Sequence, residues 1–123
     1  MDEQLDLATS QVTIEDFDKL DIRVGVITRC DPFPEARKPS YKLTVDFGPL
    51  GVKRSSAQLT SFYSPEELVG KQVVAVVNFP LRRIAGFSSE VLVLGVPAEG
   101  LARRGDVILL EPERGVAPGA RVF

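Results

Sequence analysis

Residues 64–72, near the middle of the chain, carry the full sequence signature of a short helix. This helix limits the folds that the chain can adopt. Ser64 can cap the helix, Pro65 fits its first position, and Glu67 can complete a capping box. Gly70 can take the left-handed position that ends it. The segments on both sides are apolar with the period or the composition of β-strands. We therefore expect an all-β protein with small α content.

Strands are predicted from alternation of apolar and polar residues, or from continuous β-branched runs. They cover residues 22–28, 41–48, 52–59, 72–79, 91–97 and 104–113. A further short helix is predicted over residues 13–21, and a Gly/Pro-rich tail over residues 115–123 can pair with another strand. Three strands, a short helix and two strands form the order of a five-stranded OB-fold barrel, with its helix between strands 3 and 4 and with N- and C-terminal extensions. A generic small β-barrel or sandwich is the alternative.

The length and composition indicate one domain. The chain has 123 residues, of which 44% are hydrophobic, which suffices for a single core. We expect residues 1–12 to form a mobile acidic leader and residues 13–123 to form the domain. Cys30 is the only cysteine, so no intrachain disulfide can form. With no signal peptide and no apolar run of membrane length, we expect a cytoplasmic protein without membrane insertion.

Charge is distributed unevenly along the chain. The net charge is −2, yet residues 1–21 hold seven acids and one lysine, and the remainder is mildly basic. An OB barrel binds its ligands with the face of strands 2 and 3 and with the 1–2 and 4–5 loops. Here those loops are residues 31–40 and 80–90. The predicted binding face then gathers seven of the 15 basic residues, namely Arg37, Lys38, Lys42, Lys53, Arg54, Arg82 and Arg83.

Residues that would support catalysis are scarce. The chain has no histidine, the commonest physiological base and metal ligand, and Cys30 has no histidine partner to activate it. The pair Glu66–Glu67 is better explained as first-turn helix charge than as a carboxylate pair for acid–base chemistry. No phosphate-binding glycine loop is present. We therefore predict a binding protein rather than an enzyme, with no cofactor and no metal site.

Several blocks of the sequence resemble a known family. The blocks DFDKLDIRVGVI, KLTVDFG, SSAQLT, YSPEELVGKQVVAVVNFP and RRIAGFSSEVLVLG occur in the order found in stand-alone tRNA-binding-type OB domains, and within them in CsaA-type export chaperones. The resemblance implies an OB barrel, a homodimer built by the terminal elements, and a chaperone role with unfolded preproteins and the SecA export ATPase as partners. The wider family includes appended domains of tRNA synthetases and binds tRNA.

The resemblance suggests residues for tRNA, and the apolar 4–5 loop, in which this chain departs from the family, suggests residues for peptide. For tRNA, the implied set, together with Arg54 of the predicted face, is Lys42, Arg54, Ser56, Asn78, Arg82, Arg83, Ser89 and Glu90. For peptide, the apolar residues of the 4–5 loop join its arginines, giving Phe79, Ile84, Phe87, Arg82 and Arg83. The terminal helix offers an apolar stripe for the dimer interface, made of Ile14, Phe17 and Leu20.

Three of these residues have an alternative structural explanation. Phe87 is either an exposed anchor or a plug inside the barrel. Asn78 either contacts the ligand or caps the loop at the strand exit. Glu90 either contacts the ligand or pairs with Arg83 to shape the loop.

The sequence is compatible with three functions. A homodimeric export chaperone that binds unfolded preproteins is the preferred function, because the 4–5 loop is apolar and the net charge is negative. A tRNA-binding protein is the alternative, because the basic residues group on one face. For that function Phe87 or Tyr63 could stack on an unpaired base. A structural adaptor with one protein partner is a third option.

Overall fold

The protein is described by a computed structural model that covers residues 10–98 and 107–123. Its two short α-helices are α1 (Ile14–Asp18) and α2 (Pro65–Leu68), and a 3-10 turn spans Gly48–Leu50. The strands are β1 (Ile22–Pro32), β2 (Tyr41–Asp46), β3 (Val52–Ala57), β4 (Gln72–Val76), β5 (Arg82–Ile84), β6 (Phe87–Ser89), β7 (Leu92–Val93), β8 (Gly95–Pro97) and β9 (Val107–Leu109).

Five strands form one antiparallel sheet in the order β3-β2-β1-β4-β7. The long strand β1 takes part twice: its first half pairs with β4 and its second half with β2. The pairing with β2 slips by one residue between Ile27 and Arg29, which is a β-bulge. Bulges bend a strand and increase its twist, so this one turns β1 from one side of the barrel to the other.

The sheet curls until its first and last strands approach each other. The Glu90 amide donates to the Arg54 carbonyl at 2.7 Å, and the Ser55 hydroxyl donates to the Val91 carbonyl at 3.0 Å. These bonds join β3 to the segment that leads into β7, so the barrel is nearly closed. The predicted five-stranded OB-fold barrel, with a helix between strands 3 and 4, is confirmed.

Alternate residues of the strands point into the barrel and form its core. This core contains Ile27, Leu43, Val45, Phe47, Leu59, Leu68, Val73, Ala75 and Val91. Leu68 comes from α2, whose predicted capping box is present: the Ser64 hydroxyl accepts from the Glu67 amide, and the Glu67 carboxylate accepts from the Ser64 amide. The capping box stabilises a helix of only four residues, and this helix places Leu68 in the core at one end of the barrel.

Some predicted boundaries were wrong. The predicted strand 91–97 is split into β7 and β8, and β8 leaves the barrel to pair with β9. Residues 80–90 were predicted to be a loop, but they contain the hairpin β5–β6, closed by a two-residue turn at Ala85 and Gly86 with φ of 48° and 81°. Three-residue strands are too short to give a period in the sequence, which explains the second error.

The C-terminal tail pairs with β1, as its composition allowed. The Val24 amide donates to the Ala120 carbonyl at 2.9 Å, and the Val122 amide donates to the Ile22 carbonyl at 2.8 Å. Most of the predicted leader 1–12, and the start of the predicted strand 104–113, lie outside the described residues. Within the described ranges, no helix is long and apolar enough to cross a membrane.

Candidate ligand-binding face

The hairpin β5–β6 stands on the barrel surface between two depressions, which together we name the binding face. The cleft has a volume of about 200 Å³ and is lined by Ser56, Phe79, Pro80, Arg82, Ser89, Glu90, Val91 and Leu92. The basin has a volume of about 400 Å³ and is lined by Glu35, Lys42, Arg54, Ala85, Gly86, Phe87 and Ser88. Strands 2 and 3 and both predicted loops therefore contribute, as expected for an OB barrel.

Two aromatic rings support the cations of the basin. Phe33 and Phe87 are both buried, with ring centroids 5.4 Å apart. The Lys42 ammonium lies 4.8 Å from the Phe33 ring centre, and the Arg54 guanidinium lies 4.5 Å from that of Phe87. Cation–π attraction holds both charged groups over the rings, so the basin presents two ordered positive charges to an anion. Glu35 is the acidic residue among those lining it.

Phe87 does not act as an exposed anchor. It is only 6% exposed, because the hairpin turn directs it inward, across from Ile84 and beneath Lys42 and Arg54. Phe87 is therefore a buried ring, as in the alternative explanation given from the sequence. The ring lies beneath the two cations at the wall of the basin, and its place in the predicted peptide-contact set remains a prediction.

Asn78 uses both ends of its amide on the backbone. Its Oδ1 accepts from the Asp21 amide at 2.9 Å, and its Nδ2 donates to the Lys19 carbonyl at 2.8 Å. These bonds tie the exit of β4 to the segment between α1 and β1. The side chain thus has the loop-cap role that was the alternative to ligand contact.

Ser56, Ser89 and Glu90 belong to the barrel seam. The Ser89 hydroxyl accepts from the Ser56 amide at 3.1 Å, and the Glu90 carboxylate accepts from the Arg54 amide at 2.8 Å. Glu90 does not pair with Arg83, whose guanidinium instead donates to the Ser88 hydroxyl at 3.2 Å. Ser89 and Glu90 therefore line the cleft together with the exposed Arg82, whereas Arg83 lies on the outer face of the hairpin with Ser88.

The cleft is bordered by exposed apolar side chains. Phe79 and Leu92 line it and keep 45% and 43% of their surface exposed. Leu81 is 56% exposed and Ile84 is half-buried, but neither lines the cleft. Arg82 is exposed beside them, on the same face of the hairpin as Ile84. Leu92 lines the cleft but was absent from the predicted site.

Two of the predicted dimer residues, Ile14 and Phe17, lie on α1, and Leu20 lies just beyond its end. Ile14 is 69% exposed, and Phe17 and Leu20 are half-buried. Arg121 fixes the end of the helix by donating to the carbonyls of Asp18 and Leu20, at 3.1 and 3.2 Å. The apolar stripe is therefore held in place and accessible, and its role in a dimer remains a prediction.

Two features of the part of the chain that is described concern metal binding and nucleophilic chemistry. No group of three acidic, cysteine or histidine side chains there is placed to hold a metal ion. Burial, followed by the charges of Asp31 and Glu66, raises the pKa of the Cys30 thiol to about 11. A thiol with so high a pKa is a poor nucleophile at neutral pH.

Comparison with known proteins agrees with this geometry. The family model of the tRNA binding domain matches residues 22–121. The chain belongs to this tRNA binding domain family. It is 39% identical over 112 residues to a methionine–tRNA ligase of Porphyromonas gingivalis, covering 90% of this chain and 15% of the ligase. The chain therefore spans less than a sixth of the length of that relative.

Two solved structures resemble the whole fold. The chaperone CsaA of Bacillus anthracis str. Ames is 50% identical, with a TM-score of 0.84 over 93% of this chain and 100% of that one. The CsaA chaperone protein of Picrophilus torridus is 46% identical, with a TM-score of 0.80 over 92% of this chain and 100% of that one. The family is a binding domain and not a catalytic one, which agrees with the prediction of a binding protein.

Proposed function

We propose that this protein is a CsaA-type chaperone that binds unfolded polypeptide segments on the binding face. The observation that carries this proposal is the cleft, where the exposed side chains of Phe79 and Leu92 lie with the exposed Arg82 around one depression. A monomeric domain rarely groups exposed apolar side chains around a depression unless something binds there. Its likeness to two CsaA chaperones supports the same function.

The chemistry of the cleft suits weak and tolerant binding. Covering an apolar side chain contributes roughly 1.5–3 kcal/mol when it is fully removed from water, and these side chains are already half-covered. A shallow cleft therefore holds one or two side chains of an extended segment. Such binding lets a client dissociate and fold.

The proposed cellular setting is protein export in the cytoplasm. The protein would act as a homodimer through the accessible stripe of Ile14, Phe17 and Leu20, and would present unfolded preproteins to the export ATPase SecA. The exposed apolar face of α1 and the likeness to the CsaA chaperones support this setting. Sedimentation of the wild-type protein and an Ile14→Lys variant tests the dimer separately from client binding.

The test of peptide binding compares two double variants, each of which replaces two exposed apolar side chains with serine. Phe79→Ser with Leu92→Ser removes the exposed apolar border of the cleft. Val69→Ser with Val116→Ser changes two exposed valines away from the binding face. Suppression of aggregation of a chemically unfolded preprotein should fall at least about fivefold in the first variant and remain in the second. Equal suppression by both variants would disprove the cleft as the client site.

A second candidate function is tRNA binding, favoured by four cations on the binding face. Lys42 and Arg54 are ordered over the rings of the basin, and Arg82 and Arg83 are exposed on the hairpin. Contacts to about four phosphates predict a slope near −3 for the logarithm of the tRNA affinity against that of salt concentration.

A filter-binding titration of bulk tRNA at several salt concentrations tests this function. The variant Arg82→Ala with Arg83→Ala should flatten the slope, whereas Arg114→Ala, an exposed arginine paired with Glu113, should not. A slope near zero for the wild-type protein would exclude the second candidate. A single stoichiometric protein partner, with affinity for neither peptide nor tRNA, would favour the adaptor.

A further inference from the structure

The outer edge of β5 is open. Strand β5 (Arg82–Ile84) pairs with β6 on one side, and no other strand of residues 10–98 and 107–123 pairs with it. On the other side of the hairpin, Ser89 and Glu90 bond to β3, so β6 is covered. An open strand edge carries unpaired amides and carbonyls that another extended chain can use.

The register of the hairpin determines which backbone groups point outward. A two-residue turn makes Ile84 and Phe87 the closing pair that exchanges both hydrogen bonds, and Arg83 and Ser88 form the following pair, which does not. The amide and carbonyl of Arg83 therefore point away from β6, off the open edge. Those of Leu81, two residues earlier, have the same direction. None of the described residues forms a hydrogen bond with the outward amide or carbonyl of Arg83 or Leu81.

The side chains along this edge select for acidic segments. Cations on an edge strand usually repel other strands and prevent aggregation. Arg82 and Arg83 repel a basic strand in this way, but they attract an acidic one. Arg83 lies on the outer face of the hairpin with Ser88, whereas Arg82 and Ile84 lie on the other face.

We propose that an extended acidic polypeptide segment binds as an added antiparallel strand on the open edge of β5, using the outward amide and carbonyl of Arg83. This rests on the proposed peptide-binding function and specifies its mode. The residue opposite Arg83 is acidic, and its neighbours are apolar and lie on the face of the hairpin that carries Ile84 and the stem of Arg82. Backbone hydrogen bonds supply affinity without regard to sequence, which suits a chaperone, and the arginines supply the preference for acids.

N-methylated peptides test this mode. The parent is an eight-residue peptide of alternating aspartate and valine, with blocked ends. In the proposed register the aspartate amides face the protein and the valine amides face water. N-methylation of one central aspartate should therefore weaken binding about tenfold or more, whereas N-methylation of the adjacent valine should change it less than about threefold. Equal affinity of the two methylated peptides overturns the proposal.

Amide hydrogen exchange of the protein gives an independent result. The parent peptide should slow exchange of the Arg83 amide about tenfold or more. It should leave the Ile84 amide, which already faces Phe87 across the hairpin, nearly unchanged. Arg83→Ser should weaken the aspartate peptide more than a matched peptide of alternating asparagine and valine.

The outcomes separate the two levels of the proposal. A peptide that binds in the cleft without protecting the Arg83 amide overturns strand addition and leaves the chaperone function standing. Absence of any peptide binding, by the parent or by unfolded preprotein, overturns both.

Discussion

Arg54 and Glu90 bond to each other twice across the seam that closes the barrel. The Arg54 amide donates to the Glu90 carboxylate at 2.8 Å, and the Glu90 amide donates to the Arg54 carbonyl at 2.7 Å. The first bond lets a side chain replace a backbone partner at the point where the sheet pairing stops. Because Arg54 also lies over the Phe87 ring, this seam sets the position of a basin cation.

Loss of the Glu90 carboxylate should therefore destabilise the barrel. Glu90→Ala leaves the Arg54 amide without its acceptor and should lower the free energy of unfolding by about 1–3 kcal/mol, since the bond involves a charged group. Glu90→Gln keeps an acceptor oxygen and should lose less. Urea denaturation gives the measurement. Glu113→Ala, which removes an exposed surface ion pair, serves as the control and should change little.

Gly25 is required by the packing of the core. An added Cβ would lie 2.6 Å from Val45 Cγ1 and 2.8 Å from Phe47 Cε1, both in fully buried side chains. Gly25→Ala should thus lower the free energy of unfolding by about 1–3 kcal/mol through overpacking. Gly115, where nothing lies within 4 Å of an added Cβ, gives the matched control. If both alanine variants unfold at the same urea concentration, this account of Gly25 is wrong.

Ala85 holds a left-handed conformation that favours other residues. Its φ is 48°, and a side chain with a Cβ pays roughly 1 kcal/mol there. Asparagine followed by glycine is the preferred pair for such two-residue hairpin turns, and Gly86 is already present. Ala85→Asn should therefore raise the free energy of unfolding by about 0.5–1 kcal/mol, measured in urea. Ala85→Val should lower the free energy of unfolding. If Ala85→Val proves more stable than Ala85→Asn, the backbone of residue 85 is not strained as described.

The barrel could be predicted from the sequence because its determinants are local. Capping residues fix α2, and strands of five or more residues show their period. The binding face could be predicted only as a region. Which of its side chains reach solvent depends on a three-residue hairpin and on the seam, since Phe87 turns inward only when Ala85 and Gly86 close the turn.

The roles of the polar site residues could not be predicted for a related reason. Asn78 and Glu90 bond to backbone amides that are 57 and 36 residues away along the chain. No local pattern encodes such partners, because they meet only when the barrel closes.

The high pKa of the Cys30 thiol predicts slow alkylation and a loss of stability at alkaline pH. Burial raises this pKa from 9.0 to about 11, with smaller contributions from Asp31 and Glu66. At pH 8 the folded protein then contains about a hundredfold less thiolate than the unfolded chain, and iodoacetamide should react correspondingly more slowly. Between pH 9 and 11 the unfolded thiol releases its proton while the folded thiol retains it, so stability should fall as the pH rises. Cys30→Ala should remove this part of the pH dependence, and an alkylation rate equal to that of the urea-unfolded chain would show that the thiol is not protected.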